Sequence, residues 1–302
     1  MRQASSNASD RRTAGFNLNH ATIRTGDGAE ITATTFGDAK GCRAGVLIVS
    51  AMAVEQEYYE PFAQWLAERG HFVATFDYRG IGRSRKGPLR RVVADVVTWA
   101  REDTGAMVDF VAQQIGERPL LWVGHSLGGQ ILGLVRQRMR ISAVLTVAAG
   151  SGYWRDYAPG LRRLAPLLWY GIVPTMLTTF GYFPGRRLGV IGDVPEGVMR
   201  QWRSWCLHPD YLFGVEAPDL RSTYAALGQP ILSLSFTDDE YMSARNIESL
   251  HSFYSGAARE LRRIAPRDAG VERIGHFGFF RRRHADTLWP LASDWLAQRS
   301  AQ

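Results

Sequence analysis

The sequence predicts an α/β protein built on a mostly parallel eight-stranded sheet, with helices on both faces and a helical insertion before the last strands. Three observations carry this expectation. Short continuous apolar runs recur along the chain, as strands buried on both faces of a parallel sheet require. Stretches with apolar residues at helical spacing separate most of them. Between Ser151 and Gly228 the alternation stops, and a segment rich in Trp, Tyr, Pro and Arg replaces the expected short connection.

In chain order, the polar opening from Met1 to Ala14 reads as a disordered tail. Arg11 and Arg12 are adjacent there, but no apolar run follows them as a secretory or twin-arginine signal needs. His20 to Arg24 and Glu30 to Phe36 alternate apolar and polar residues around Gly26, Asp27 and Gly28, which predicts a hairpin at a sheet edge. Buried strands are predicted at Val46 to Ser50, Phe72 to Phe76, Leu120 to Val123, Ala143 to Val147 and Ile231 to Phe236, with a last strand around Val271 to Ile274. Helices are predicted over Glu57 to Arg69, where Tyr58, Phe62, Trp65 and Leu66 share a face, and over Val92 to Ile115, where Val96, Trp99, Val108 and Val111 do. Another is predicted over Gln130 to Arg138. The chain thus divides into a tail over 1–14, a first core part over 15–150, an insertion over 151–228 and a second core part over 229–302.

With 302 residues, 45% of them hydrophobic, the chain can bury a sizeable core. Its two cysteines, Cys42 and Cys206, are too few for a disulfide framework and lack partners at metal-ligand spacing, so no metal or cofactor is expected and a reducing cytoplasm is the expected compartment. The formal charge of +7 rests almost wholly on arginines scattered from Arg2 to Arg299 without aromatic interleaving, which argues against a nucleic-acid partner. From Leu164 to Gly185 there is no charge, and arginines flank the stretch on both sides. Pro166, Gly171, Pro174, Gly181 and Pro184 are expected to break it into short pieces, so a membrane span is not predicted; a weak lipid contact through the insertion is the lesser reading and an apolar cover over a pocket the favoured one. Trp169 and Phe180 are the candidate pocket residues.

The chemistry is carried by Gly124-His125-Ser126-Leu127-Gly128-Gly129, directly after the strand ending at Val123 and before a helical run. This is GxSxG in a strand, turn, helix context, where small residues let the turn lift a serine hydroxyl clear of the sheet, which makes Ser126 the candidate nucleophile. A serine hydroxyl needs a base, and the base needs a carboxylate to hold its tautomer. In this architecture both follow the serine, the acid first. Thr237-Asp238-Asp239-Glu240 follows the strand at Ile231, and spacing from that strand favours Asp239, with Asp238 and then Glu240 as alternatives. Of the histidines beyond it, His251 lies in a helical stretch and His284 in an arginine run, whereas His276 sits in a loop bracketed by Gly275 and Gly278 and is the candidate base. His125 is expected to pack rather than react. The oxyanion of the tetrahedral intermediate needs two backbone N–H donors, expected from Leu127 and from the loop after Val46 to Ser50, at Met52 or alternatively Ala51.

These motifs resemble the α/β-hydrolase fold superfamily, over about Phe16 to Ala297. GHSLGG around Ser126 resembles the nucleophile elbow, FDYRGIGRS from Phe76 to Ser84 the turn after the fourth strand, SFTDDE the acid loop and GHFGFF the histidine loop. Within the superfamily the chain is most similar to capped serine hydrolases labelled serine-aminopeptidase-like. One departure is that Ser50-Ala51-Met52-Ala53 stands where such proteins carry His-Gly. The resemblance implies that Asp77, Gly80 and Gly82 are structural. The expected activity is hydrolysis of a small-molecule carboxylic ester with an apolar acyl or alcohol group through an acyl-enzyme. The alternatives are acyl transfer or peptidase chemistry on the same triad, or a non-catalytic binding protein. Six acids against eight arginines between Ser151 and Gly228 disfavour a cationic substrate.

Overall fold

The strand at Val46 shows how the sequence builds the sheet. In β3 (Gly45–Val49) every residue is apolar or Gly and all five are buried, and because side chains alternate across a strand, Val46 and Ile48 join one apolar layer while Leu47 and Val49 join the other. The computed structural model describes residues 18–300, so the tail expected over 1–14 lies outside the described residues. The remaining strands are β1 (Leu18–Arg24), β2 (Glu30–Phe36), β4 (Phe72–Phe76), β5 (Leu120–His125), β6 (Ile141–Val147), β7 (Tyr182–Phe183), β8 (Val194–Pro195), β9 (Ile231–Phe236) and β10 (Arg259–Ile264).

Eight of them form one sheet in the order β1-β2-β4-β3-β5-β6-β9-β10, and β7 pairs with β8 in a separate small hairpin. Only the contacts of β2, with β1 and β4, are antiparallel; all others in the large sheet are parallel. The helices Glu60–Ala67 and Trp289–Arg299 bury Phe62, Leu66, Trp289 and Leu296 on one face. Gly105–Ile115 and Ala244–Ser252 cover the other, with Val108, Val111 and Leu250 buried, and the segment inserted between β6 and β9 continues that apolar layer. The C-terminal ends of the central parallel strands therefore open toward the inserted segment, which is where ligands of such sheets bind.

Four local expectations are corrected. The last strand is β10, with the sequence RELRRI and mostly exposed side chains, and residues 271–274 form no strand. A strand at the sheet edge pairs on one side only and needs no apolar face, so its charge disguised it. After Ser126 the α-helix lasts only from Leu127 to Gln130 before 3-10 turns take over at Leu132–Leu134 and Arg138–Arg140. The Gln130 carbonyl accepts the Tyr224 hydroxyl at 2.5 Å, and the Tyr224 ring occupies the space a side chain at Gly133 would need, so a tertiary contact replaces the continuing helix. The helix expected from Val92 begins at Val96, where the Asp95 carboxylate caps the Thr98 N–H at 2.6 Å.

The fourth correction concerns the uncharged stretch. Helical backbone runs through it as Pro159–Pro166, a π-helical segment at Leu167–Ile172, and Val173–Phe180, so Pro166 and Pro174 do not break it. The wider π turns between the two prolines absorb the missing N–H bonds and the ring clashes that would kink an α-helix. Among the described residues no helix is long and apolar enough to cross a membrane.

Candidate active site

The turn after β5 is held by steric necessity. Ser126 has φ 49° and ψ −112°, a left-handed backbone that costs a non-glycine residue on the order of 1–3 kcal/mol. The chain sustains it because its neighbours leave no alternative. A Cβ at Gly128 would overlap the Val49 carbonyl and one at Gly124 would overlap the Gly128 backbone. The Ser126 N–H donates to the Val147 carbonyl at 2.9 Å, and the Trp122 indole N–H donates to the Gly128 carbonyl at 3.0 Å. Ser126 thus sits on the tip of a braced turn, at the N-terminus of the Leu127–Gln130 helix, against a pocket that His276, Ala51 and Met52 also line.

The acid loop and the histidine loop are joined residue by residue. Asp239 Oδ2 accepts from His276 Nδ1 at 2.9 Å, and both side chains are buried. Asp239 Oδ1 accepts the N–H groups of Tyr241 and Met242 at 2.8 and 2.9 Å. The two alternative acids have other partners: Asp238 accepts the Ile274 N–H at 2.8 Å and Glu240 the His276 N–H at 3.1 Å. Three consecutive acids therefore hold the loop at 274–276, and only Asp239 meets the imidazole. His251 is buried in its helix, donating from Nδ1 to the Ile247 carbonyl at 2.7 Å with Thr146 at its Nε2, and His284 is buried beside Arg283.

On the opposite side of the pocket the two candidate donors differ. The Ala51 N–H donates to the Tyr59 hydroxyl at 2.9 Å, so it is occupied, whereas Met52 follows it at the pocket wall. The turn continues through Ala53, itself at φ 55°, into the 3-10 helix Gln56–Tyr59. That helix is anchored by Asp77, which accepts the Gln56 N–H and side-chain amide at 2.8 Å each and the Arg83 N–H at 2.9 Å. Asp77 thereby ties the loop after β4 to the loop after β3.

The pocket wall facing these groups is apolar. Leu161, Leu168, Trp169, Val173, Phe183 and Met199 contribute to it from the inserted segment, and none of the residues lining it is acidic. Phe180 is not among them, which corrects the expectation: its ring lies edge-on to Tyr182, with centroids 6.2 Å apart, and under the Arg187 guanidinium. The sequence also carried an unread signal here. Leu161, Ala165 and Leu168 recur at helical spacing along one face, and taking the prolines as breaks hid that periodicity.

The architecture recurs in solved structures at low sequence identity. A soluble variant of monoglyceride lipase from Saccharomyces cerevisiae, crystallised with a substrate analog, superposes with a TM-score of 0.67 at 17% identity, covering 95% of this chain and 96% of that one. The chain has the α/β-hydrolase fold. Its similarity extends to the Pyrococcus furiosus esterase Pf2001, with a TM-score of 0.60, 13% identity and 94% and 91% of the two chains covered. A cold-adapted esterase from an Arctic intertidal metagenomic library gives 0.56 at 18% identity over 98% and 99%. The family described as "Serine aminopeptidase, S33" matches residues 41–181 of this α/β-hydrolase-fold chain. Among curated proteins, the uncharacterized protein YfhR of Salmonella typhimurium is 33% identical over 98 residues, 32% of this chain and 31% of that protein. The match thus spans about a third of the curated relative's length.

Proposed function

We infer that the protein is a serine hydrolase that cleaves carboxylic esters bearing an apolar acyl or alcohol group. The observation that carries this is the buried Asp239–His276 hydrogen bond at 2.9 Å, with His276 and Ser126 on the wall of one apolar pocket. In this reading Ser126 Oγ attacks the ester carbonyl carbon while His276 Nε2 takes its proton. Asp239 holds the imidazole in the Nδ1–H tautomer and stabilises the imidazolium that forms. The oxyanion accepts the N–H groups of Leu127 and Met52, and His276 returns the proton to the departing alcohol. Water then attacks the acyl-enzyme by the same route in reverse, releasing the acid and freeing Ser126.

Residues 151–228 act in this reading as a cap, since most of the apolar lining comes from them. The absence of any acid among the lining residues favours an ester over an aminopeptidase substrate, whose ammonium group would need a carboxylate. Three of the cap's own acids are engaged elsewhere: Asp156 pairs with Arg245, Glu196 with Arg200 and Asp210 with Arg221. The exposed Leu164, Leu167 and Tyr170 on the outer face of the cap helix are the residues through which a weak lipid contact would act.

A fluorophosphonate probe tests the reading. It should label the protein one to one at Ser126, and Ser126→Ala should remove the label. Labelling that maps to another serine, or none in the folded wild type, would refute it.

A further inference from the structure

Two buried residues that do not line the pocket connect the two sides of the site. The Ala51 N–H donates to the Tyr59 hydroxyl oxygen at 2.9 Å, Tyr59 Oη lies 2.8 Å from His125 Nδ1, and His125 Nε2 lies 3.1 Å from the His276 carbonyl oxygen. The ends of this chain set the direction of its two outer bonds, and the charge state of His125 sets the one between. A carbonyl oxygen can only accept, so His125 carries its proton on Nε2. Burial of His125, and second to it the proximity of the His276 imidazole, pushes its pKa well below the usual imidazole range, so the ring is neutral and its Nδ1 accepts. The Tyr59 hydroxyl must then donate to Nδ1 while accepting from Ala51. Each polar atom has one partner of the right kind, and both side chains are fully buried.

The relay bears on the reacting groups at both ends. At one end, Ala51 is pinned twice, by its N–H on Tyr59 and by its carbonyl, which accepts the Val54 N–H at 3.2 Å. The Ala51 carbonyl and the Met52 N–H belong to one planar trans peptide and point in opposite directions, so fixing the carbonyl aims the N–H. The loop needs such restraint because Ala53, two residues on, is left-handed. At the other end the bond falls on the backbone of His276 itself, and the neighbouring Tyr58 hydroxyl donates to the next carbonyl, that of Phe277.

We propose that Tyr59 and His125 are positioning residues that lock the oxyanion-hole loop and the histidine loop into one rigid frame, through a relay of three buried hydrogen bonds. The proposal rests on the hydrolase reading above. It assigns to the His of GHSLGG a defined tautomer and a role in transition-state geometry, where packing alone would require neither.

The test uses Tyr59→Phe, which keeps the ring and removes the hydroxyl, with Tyr254→Phe as the control because the buried Tyr254 hydroxyl has no hydrogen-bond partner among the described residues. An alkyl boronic acid, whose tetrahedral serine adduct places an oxygen where the oxyanion forms, should bind Tyr59→Phe about tenfold or more weakly, with kcat reduced in step and KM within about twofold. Tyr254→Phe should change none of these. In the wild type, nitrogen-15 NMR should show His125 as the neutral Nε2–H tautomer from pH 5 to pH 8. An Nδ1–H tautomer, titration in that range, or unchanged boronate affinity in Tyr59→Phe would overturn the relay while leaving the hydrolase reading intact. A wild type that binds no boronate and takes no fluorophosphonate would overturn both.

Discussion

Asp239 spends both of its carboxylate oxygens, one on His276 Nδ1 at 2.9 Å and the other on two backbone N–H groups at 2.8 and 2.9 Å. Such a carboxylate is fixed in orientation, with one oxygen held where an imidazolium would form. Its neighbour Asp238 serves only the Ile274 N–H, through an oxygen that an amide would also provide.

Asp239→Asn should therefore lower kcat by about 10⁴, because the amide no longer selects the Nδ1–H tautomer, whereas Asp238→Asn should cost less than about tenfold. Steady-state kinetics on a p-nitrophenyl ester decides this. The reverse order of effects would transfer the acid role to Asp238.

The apolar pocket sets an expectation for chain length. Each methylene buried in the transition state contributes up to about 0.8 kcal/mol, so kcat/KM for p-nitrophenyl esters should rise up to roughly fourfold per carbon and then stop. Trp169→Ala should move the optimum to longer chains, since Trp169 lines the pocket. Phe180→Ala should leave the profile alone, since Phe180 packs on Tyr182 outside it. A wild-type profile flat from acetate to octanoate would count against an acyl pocket.

Strain at Ser126 gives a stability comparison. Glycine tolerates φ 49° and alanine does not, so Ser126→Gly should be more stable to urea than Ser126→Ala by about 1 kcal/mol, with both variants inactive. Equal stabilities would show that the turn is relaxed despite its dihedral angles.

His251 provides a pH test away from the site. Burial pushes its imidazole down to about 4, opposed by the bond to the Ile247 carbonyl and aided by the nearby Arg259 charge. An unfolded histidine titrates near 6.5, so as pH falls the unfolded chain takes up this proton first. The stabilisation is thus fully present above about pH 6.5 and is lost as pH falls toward about 4, by on the order of 3 kcal/mol. Urea titrations at pH 7 and pH 4.5 should show a smaller loss for His251→Gln than for the wild type. Equal losses would place the acid sensitivity on other groups, among them His71 and His125, whose burial also disfavours charge.

What the sequence determined by itself was whatever is written in short, local patterns. Largely apolar runs marked the five buried strands because a strand covered on both faces has no charged or solvated side to show. The position of Ser126 on a sharp turn was legible because the glycines that permit the turn lie within three residues of it. The tertiary structure decided everything that depends on a partner distant in the chain. Ala51 was separated from Met52 by the hydroxyl of Tyr59, and the acids 238 to 240 were told apart by which atom of a loop some 36 residues away each one meets. Phe180 fell outside the pocket because the helix carrying it passes through two prolines without breaking. The edge strand β10 is a strand only because β9 offers it a free row of backbone donors and acceptors. Hydrogen bonds of this kind are made by backbone that every residue shares, so the side chains of RELRRI had no means of announcing them.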